Sequence, residues 1–216
     1  LELNYGPHDG QLAAIPELVD GAIYSIQFNG RDRAGNSAET IEITGVKLDG
    51  TPPVIALTSP DSAQAVNHNR LTFSLSEDLA EGSVIWMQSS GNADANSPYE
   101  VPLFKSELTA GDHADITLEY APTLNDGSIY NITVGGKDFA GNVSDTVSIE
   151  NIAYDTSPPV FAVTAPVHGD FIGAPLITYS LSEPIKEGRI TWRWESGAQD
   201  TGTPHTSVLS LNELEM

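Results

Sequence analysis

The chain has 216 residues, no Cys, and 30 acidic against 9 basic residues, for a formal net charge of −21. That length allows one or two domains, and the charge argues against nucleic acid and anionic membrane surfaces, both of which call for a basic face. The acidity either suits a cationic partner, calcium foremost among small cations, or serves solubility alone by keeping copies apart.

In chain order, Leu18 to Tyr24 reads as an Asp-Gly turn leading into a strand, and Asp32-Arg-Ala-Gly-Asn36 as the next turn. Asp49-Gly-Thr-Pro-Pro-Val54 is a stiffened link, since proline removes donors and fixes φ. Val54 to Leu57 is a short apolar strand. Leu71, Phe73 and Leu75 alternate with polar residues at the two-residue period of a half-buried strand, and Val84 and Trp86 do the same. Further strands are expected at Ile116, Leu118 and Tyr120, and at Tyr130, Ile132 and Val134. The last runs from Val147 and Ile149 to Ile152 and Tyr154, with a phase change that predicts a bulge. With 19 Gly and 14 Pro as punctuation and no helical period, the elements read as an all-β, seven-strand Greek-key sandwich. Phe73, Leu75, Trp86, Leu118, Tyr130, Ile132 and Ile149 are its expected core. No run of eighteen apolar residues is present to span a membrane.

The chain repeats itself. Asp49-Gly-Thr-Pro-Pro-Val54 returns as Asp155-Thr-Ser-Pro-Pro-Val160, an offset of 106, the difference of 155 and 49. The same offset relates Leu71–Glu77 to Ile177–Glu183, Trp86 to Trp192, Asp20–Tyr24 to Asp126–Tyr130, and Asp32–Asn36 to Asp138–Asn142. The expected division is the back half of a repeat in residues 1–52, a complete repeat in 53–155, and the front half of another in 156–216. With no initiator Met or leader at Leu1, the chain reads as an excerpt of a longer array.

Leu124-Asn-Asp-Gly-Ser-Ile-Tyr130 and its copy Leu18 to Tyr24 resemble the Leu-x-x-Gly-x-x-Tyr signature of fibronectin type III and related bacterial Ig-like domains. The resemblance implies tandem Ig-like sandwiches, with Tyr130 hydrogen-bonding back to upstream backbone as a tyrosine corner. The Asp-x-Ala-Gly-Asn turn and the Asp-x-x-Pro-Pro link are also similar to repeats of large bacterial surface adhesins.

Asp138-Phe-Ala-Gly-Asn142 has two readings. One is a hairpin turn, with Asp opening it and Gly at positive φ. The other is a cation site. In an Ig-like unit this turn shares a pole with the turn at Glu77 and with the lead-in at Asp49, and oxygen-only convergence is what calcium uses. The adhesin resemblance adds weight to the second reading. The candidate ligands are therefore Asp49, Glu77, Asp138 and Asn142. Asp32 and Asn36 come from the preceding repeat, and Asp155 and Glu183 from the following one. Asp94, Asp200, Asp20 and Asp126 are weaker auxiliary candidates, since Asp-Gly turns need no ion. Trp86 and Trp192 read as core, while Trp194 is either an edge contact or a face for a sugar. His8 and His113 read as surface loop residues with no zinc set around them.

No catalytic constellation stands out, so a non-enzymatic module is expected: a stalk, spacer or filament-forming unit of a long extracellular or cell-surface protein. The alternative is a carbohydrate- or ligand-binding adhesion module. Expected partners are further copies of the repeat, continuous in one chain or head-to-tail between chains. Glu2-Leu3-x-x-Gly6-x-His8 matches Glu107-Leu108-x-x-Gly111-x-His113, and Glu213-Leu214 reaches the same point again. Each terminal half is thus expected to form ordered strands whose apolar faces find no cover in the other half of the same chain.

Overall fold

Leu71, Phe73 and Leu75 are buried on one side of a strand, while Thr72 and Ser74 face outward and are half-buried. The computed structural model describes residues 14–214, so His8 and the Glu2–His8 match lie outside the described residues. The strands are β1 (Ile23–Phe28), β2 (Ile41–Lys47), β3 (Ile55–Ser59), β4 (Ala65–Val66), β5 (Leu71–Leu75), β6 (Leu79–Gly91) and β7 (Tyr99–Pro102). They continue with β8 (Gly111–Ile116), β9 (Ser128–Asp138), β10 (Val147–Tyr154), β11 (Phe161–Ala165), β12 (Thr178–Leu181), β13 (Arg189–Trp192) and β14 (His205–Val208).

Strands β3 to β10 form an all-β sandwich. One sheet is three-stranded, in the order β3-β5-β8; the other is five-stranded, in the order β4-β10-β9-β6-β7. Trp86, Phe73, Tyr130, Ile132 and Val134 meet between the sheets with essentially no exposure. The sandwich holds eight strands where seven were expected, and β4 and β7 lie where no strand was placed from the sequence. Strand β4 is only two residues long and pairs parallel with β10. Strand β7 pairs with β6 from Ser83↔Pro102 to Trp86↔Tyr99. Neither is long enough to display a period of its own.

The bulge expected in the last strand is present: pairing with β9 shifts between Ile149 and Ile152, with Asn151 at φ 61°. Ile152 is buried and Ile149 only half-buried. Tyr120 departs from the expected strand. β8 ends at Ile116, Leu118 alone turns inward, and exposed Tyr120 packs edge-on against Phe104. Glu107, itself buried, explains the break. Its carboxylate accepts the N–H groups of Phe104 and Glu119, both at 2.7 Å, and pulls the chain out of the sheet. His113 is not a loop residue either; it lies on β8, half-buried and stacked on Phe73 at 4.6 Å.

Chain contacts divide the molecule into two units, one reaching to Thr156 and the other beginning at Ser157. In the first, β1 and β2 form a two-stranded sheet of their own beside the sandwich. They repeat the β9–β10 hairpin: Tyr24↔Val46 and Ile26↔Ile43 correspond to Tyr130↔Ile152 and Ile132↔Ile149, bulge included. In the second unit, β11–β12 and β13–β14 are separate pairs that repeat β3–β5 and β6–β7.

Candidate metal centre

Three chain segments deliver carboxylates to one place. Asp49 follows β2 by two residues, Glu77 stands in the turn between β5 and β6, and Asp138 is the last residue of β9. One oxygen from each lies within 4.8 Å of the others, and among the described residues this is where three such groups converge. Two oxygens bound to one calcium at about 2.4 Å can be at most about 4.8 Å apart, so the spacing fits a shared hard cation. The set contains only oxygen donors and no His or Cys, which does not suit zinc.

Each carboxylate has a distinct setting. Asp138 is buried, and its Oδ1 accepts the N–H groups of Ala140, Gly141 and Asn142 at 2.8, 2.7 and 2.9 Å. Burial would raise its pKa, but these bonds and the Asn142 amide outweigh it and hold the carboxyl below its ordinary value. Glu77 is shifted the other way, raised by desolvation and then by the charges of Asp49 and Asp138. Lys47 bridges to Asp49 Oδ2 at 2.6 Å, and that bond raises the lysine's own pKa. Three carboxylates against one ammonium leave the cluster net negative, and the charge of Asp20 also reaches Glu77 and Lys47.

Of the remaining candidates, Asn142 meets the cluster through its amide nitrogen. Nδ2 donates to Asp138 Oδ2 at 2.8 Å and to the Asp49 carbonyl at 3.0 Å, tying the lead-in to the β9–β10 turn. Asp32 and Asn36 form the same turn in exposed surroundings, with Asn36 N and Nδ2 donating to Asp32 at 2.7 and 2.8 Å. Asp155 follows β10 in the first unit and Glu183 follows β12 in the second. Asp78, beside Glu77, is turned to the Ala110 N–H at 2.7 Å.

The auxiliary candidates have other work. Asp20 accepts the Gly50 N–H at 2.6 Å and the Thr51 hydroxyl at 2.5 Å, and the Thr51 bond chiefly lowers its pKa. Asp126 does the same one repeat later, accepting Thr156 N–H at 2.5 Å and its hydroxyl at 2.8 Å. These aspartates clamp the links between repeats. Asp94 is buried and accepts the Tyr130 hydroxyl at 2.6 Å. Lys47 and the link clamp were missed in the sequence. The Lys-x-Asp spacing at 47 and 49 was the signal for the first; the pairing of each Asp-Gly turn with a Thr thirty or thirty-one residues on was the signal for the second.

Trp194 is 44 % exposed, and its indole N–H is taken by the Ala198 carbonyl at 2.9 Å. Asp200 and His205 pair beside it at 2.7 Å. These three stand where Gln88, Asp94 and Tyr99 stand in the sandwich, at the margin of a core rather than on an outer platform.

A family model described as bacterial Ig-like domain (group 3) matches residues 13–157. The chain is also similar to Hyalin from Lytechinus variegatus, 24% identical over 222 residues covering 88% of this chain. It spans only 36% of that relative's length. Among the described residues no helix is long and apolar enough to cross a membrane.

Proposed function

The chain belongs to the bacterial Ig-like domains of group 3, and from that premise we propose that it is a structural repeat module, a spacer or stalk in a long extracellular or cell-surface protein. In this reading calcium at Asp49, Glu77 and Asp138 stiffens the joint between one repeat and the next. The single observation that carries the cation is the convergence of three carboxylates within 4.8 Å from three separate segments. Asp49 belongs to the lead-in, and Glu77 and Asp138 to the sandwich, so an ion held by all three would fasten one to the other. The recurrence of the Asp20 and Asp126 clamps supports a serial arrangement, and so does the repeated hairpin. Family membership favours a module without catalysis.

Calcium titration of chelator-treated protein, followed by melting temperature, tests the reading. Binding confined to the folded state stabilises by about 2.7 kcal/mol at a hundredfold excess over Kd. The melting temperature is expected to rise with calcium and to stop responding in Asp138→Asn. A flat titration would leave Asp138 with its turn role alone.

A further inference from the structure

The outer face of the five-stranded sheet carries a trough of about 550 Å³, within the range of small-molecule sites, about 300–1,000 Å³. Its floor is one row of residues across β7, β6, β9 and the start of β10. Ser83 stands opposite Pro102 on β7 and Gly135 on β9, and a Cβ at Gly135 would lie 3.3 Å from Thr146 Cγ2. The row spans three strand spacings, about 14 Å in all. One bank is the ion pair of Lys137 and Glu81 at 2.7 Å. On the other stands Glu100, opposite Ile85. Every wall belongs to the β3–β10 sandwich, whose core is closed within this chain.

We propose that this trough binds a neutral oligosaccharide. The polar groups lining it have hydrogen-bonding capacity to spare, both as donors and as acceptors. Ser144 is buried, and its Oγ accepts the Gly136 N–H at 3.0 Å. Its own proton meets no acceptor among the described residues. Buried polar groups are ordinarily satisfied, so that proton calls for an acceptor in the trough. Ser83 and Thr146 bring two further hydroxyls, and Glu100 a carboxylate that only accepts. A ligand hydroxyl both donates and accepts, which answers all of these groups, and a saccharide carries such hydroxyls in series. Charge narrows the class. Glu81 and Glu100 outnumber Lys137, which disfavours phosphate and acidic sugars, and Glu81 is already paired against a cation. A protein partner would anchor an aromatic or arginine side chain in a deep pocket, which this open row does not form. Neighbouring repeats close the same place. At the offset of 106, Asn29 replaces Gly135, Arg189 replaces Ser83, Ala38 replaces Ser144 and Thr206 replaces Glu100. The signs at 137 and 81 persist in Arg31 and Glu187. Glycine inside a strand weakens it and marks where a ligand comes close to the backbone. The opening is thus a property of this repeat and not of the fold.

The inference goes beyond the spacer reading and makes no use of calcium, so it is tested in chelator. Isotope-labelled full-length protein is titrated separately with cellotetraose, chitotetraose, mannotetraose, laminaritetraose and tetralysine, and its amide resonances are followed. Saturable shifts are expected at the Ser83, Gly135 and Ser144 amides with at least one of the sugars, and none there with tetralysine. Ser83→Arg, which installs the following repeat's side chain, is expected to weaken binding by about tenfold or more, and Glu100→Gln by about three- to tenfold. Both positions lie on the outer face, so the melting of the β3–β10 sandwich should not change; if Ser83→Arg does not fold, Glu100→Gln decides alone. Silence of the three amides with all four sugars overturns the proposal, and so does sugar binding that neither substitution weakens. Shifts produced there by tetralysine alone also overturn it, and mark the trough as a cation site.

Discussion

The Tyr130 hydroxyl donates to Asp94 Oδ2 at 2.6 Å while accepting the Asn125 N–H at 2.9 Å. The backbone bond is the expected tyrosine corner; the carboxylate is an addition. Desolvation and then Asp94 push Tyr130 up to about 12, and the Tyr130 bond chiefly lowers Asp94. A carboxylate held low in the folded state adds stability above its unfolded pKa of about 3.9 and loses it as pH falls through the folded value. Tyr130→Phe is therefore expected to cost about 1–3 kcal/mol at pH 7, with the gap to the parent narrowing below about pH 4. Urea unfolding at the two pH values checks both parts; a gap independent of pH would remove Asp94 from the account.

Trp86 is 1 % exposed and meets Tyr130 edge-on at 6.4 Å between centroids. Trp86→Ala should cost about 3–5 kcal/mol in chemical denaturation, the usual figure for deleting a large core aromatic. A loss below about 1 kcal/mol would contradict the packing.

Glu77 gives the carboxylate cluster a pH signature of its own. Its pKa is raised in the folded state, so ionisation weakens the fold as pH climbs from the unfolded value of about 4.3 through the raised one. Without calcium, Glu77→Gln should melt higher than the parent at pH 7 and equal to it at pH 3; with calcium, the order should reverse. Lys47→Met, which removes the competing ammonium, should strengthen the calcium response. Thermal melts in chelator and in calcium report all three, and a Glu77→Gln protein that melts lower in both would refute the repulsion.

Gly136→Ala places a Cβ 2.7 Å from Leu79 Cδ1 and 2.9 Å from the Glu81 carbonyl oxygen. The side chain can swing away but the backbone cannot, so a loss of about 1–3 kcal/mol is expected in equilibrium unfolding. Gly30→Ala in the same assay should leave the sandwich unaffected.

The larger strands were legible because Leu71–Leu75, Val84–Trp86 and Tyr130–Val134 alternate on a half-buried surface. The bulge at Asn151 showed as a slip in that alternation. Strand β4 was hidden because two residues carry no period, and β7 because its pairing depends on β6 rather than on its own pattern. Tyr120 misled because Glu107, distant in sequence, decides where β8 stops. The meeting of Asp49, Glu77 and Asp138 followed from which turns share a pole of an Ig-like sandwich. Side-chain allegiance did not follow. Asn142 presents its amide nitrogen and Asp78 faces Ala110, both through hydrogen bonds that no spacing encodes, while Lys47 enters the cluster through its Lys-x-Asp spacing to Asp49.

The Asp20 clamp stiffens the link that leads into the sandwich. Thr51 is held to the hairpin behind it, and Val54 N–H already bonds the Ser76 hydroxyl ahead at 2.9 Å. Only Pro52 and Pro53 stand between those anchors, and both have φ fixed near −65°. A joint left with two or three soft ψ torsions stores almost no slack. A run of such repeats would therefore extend in proportion to their number, where a flexible linker would extend only as its square root.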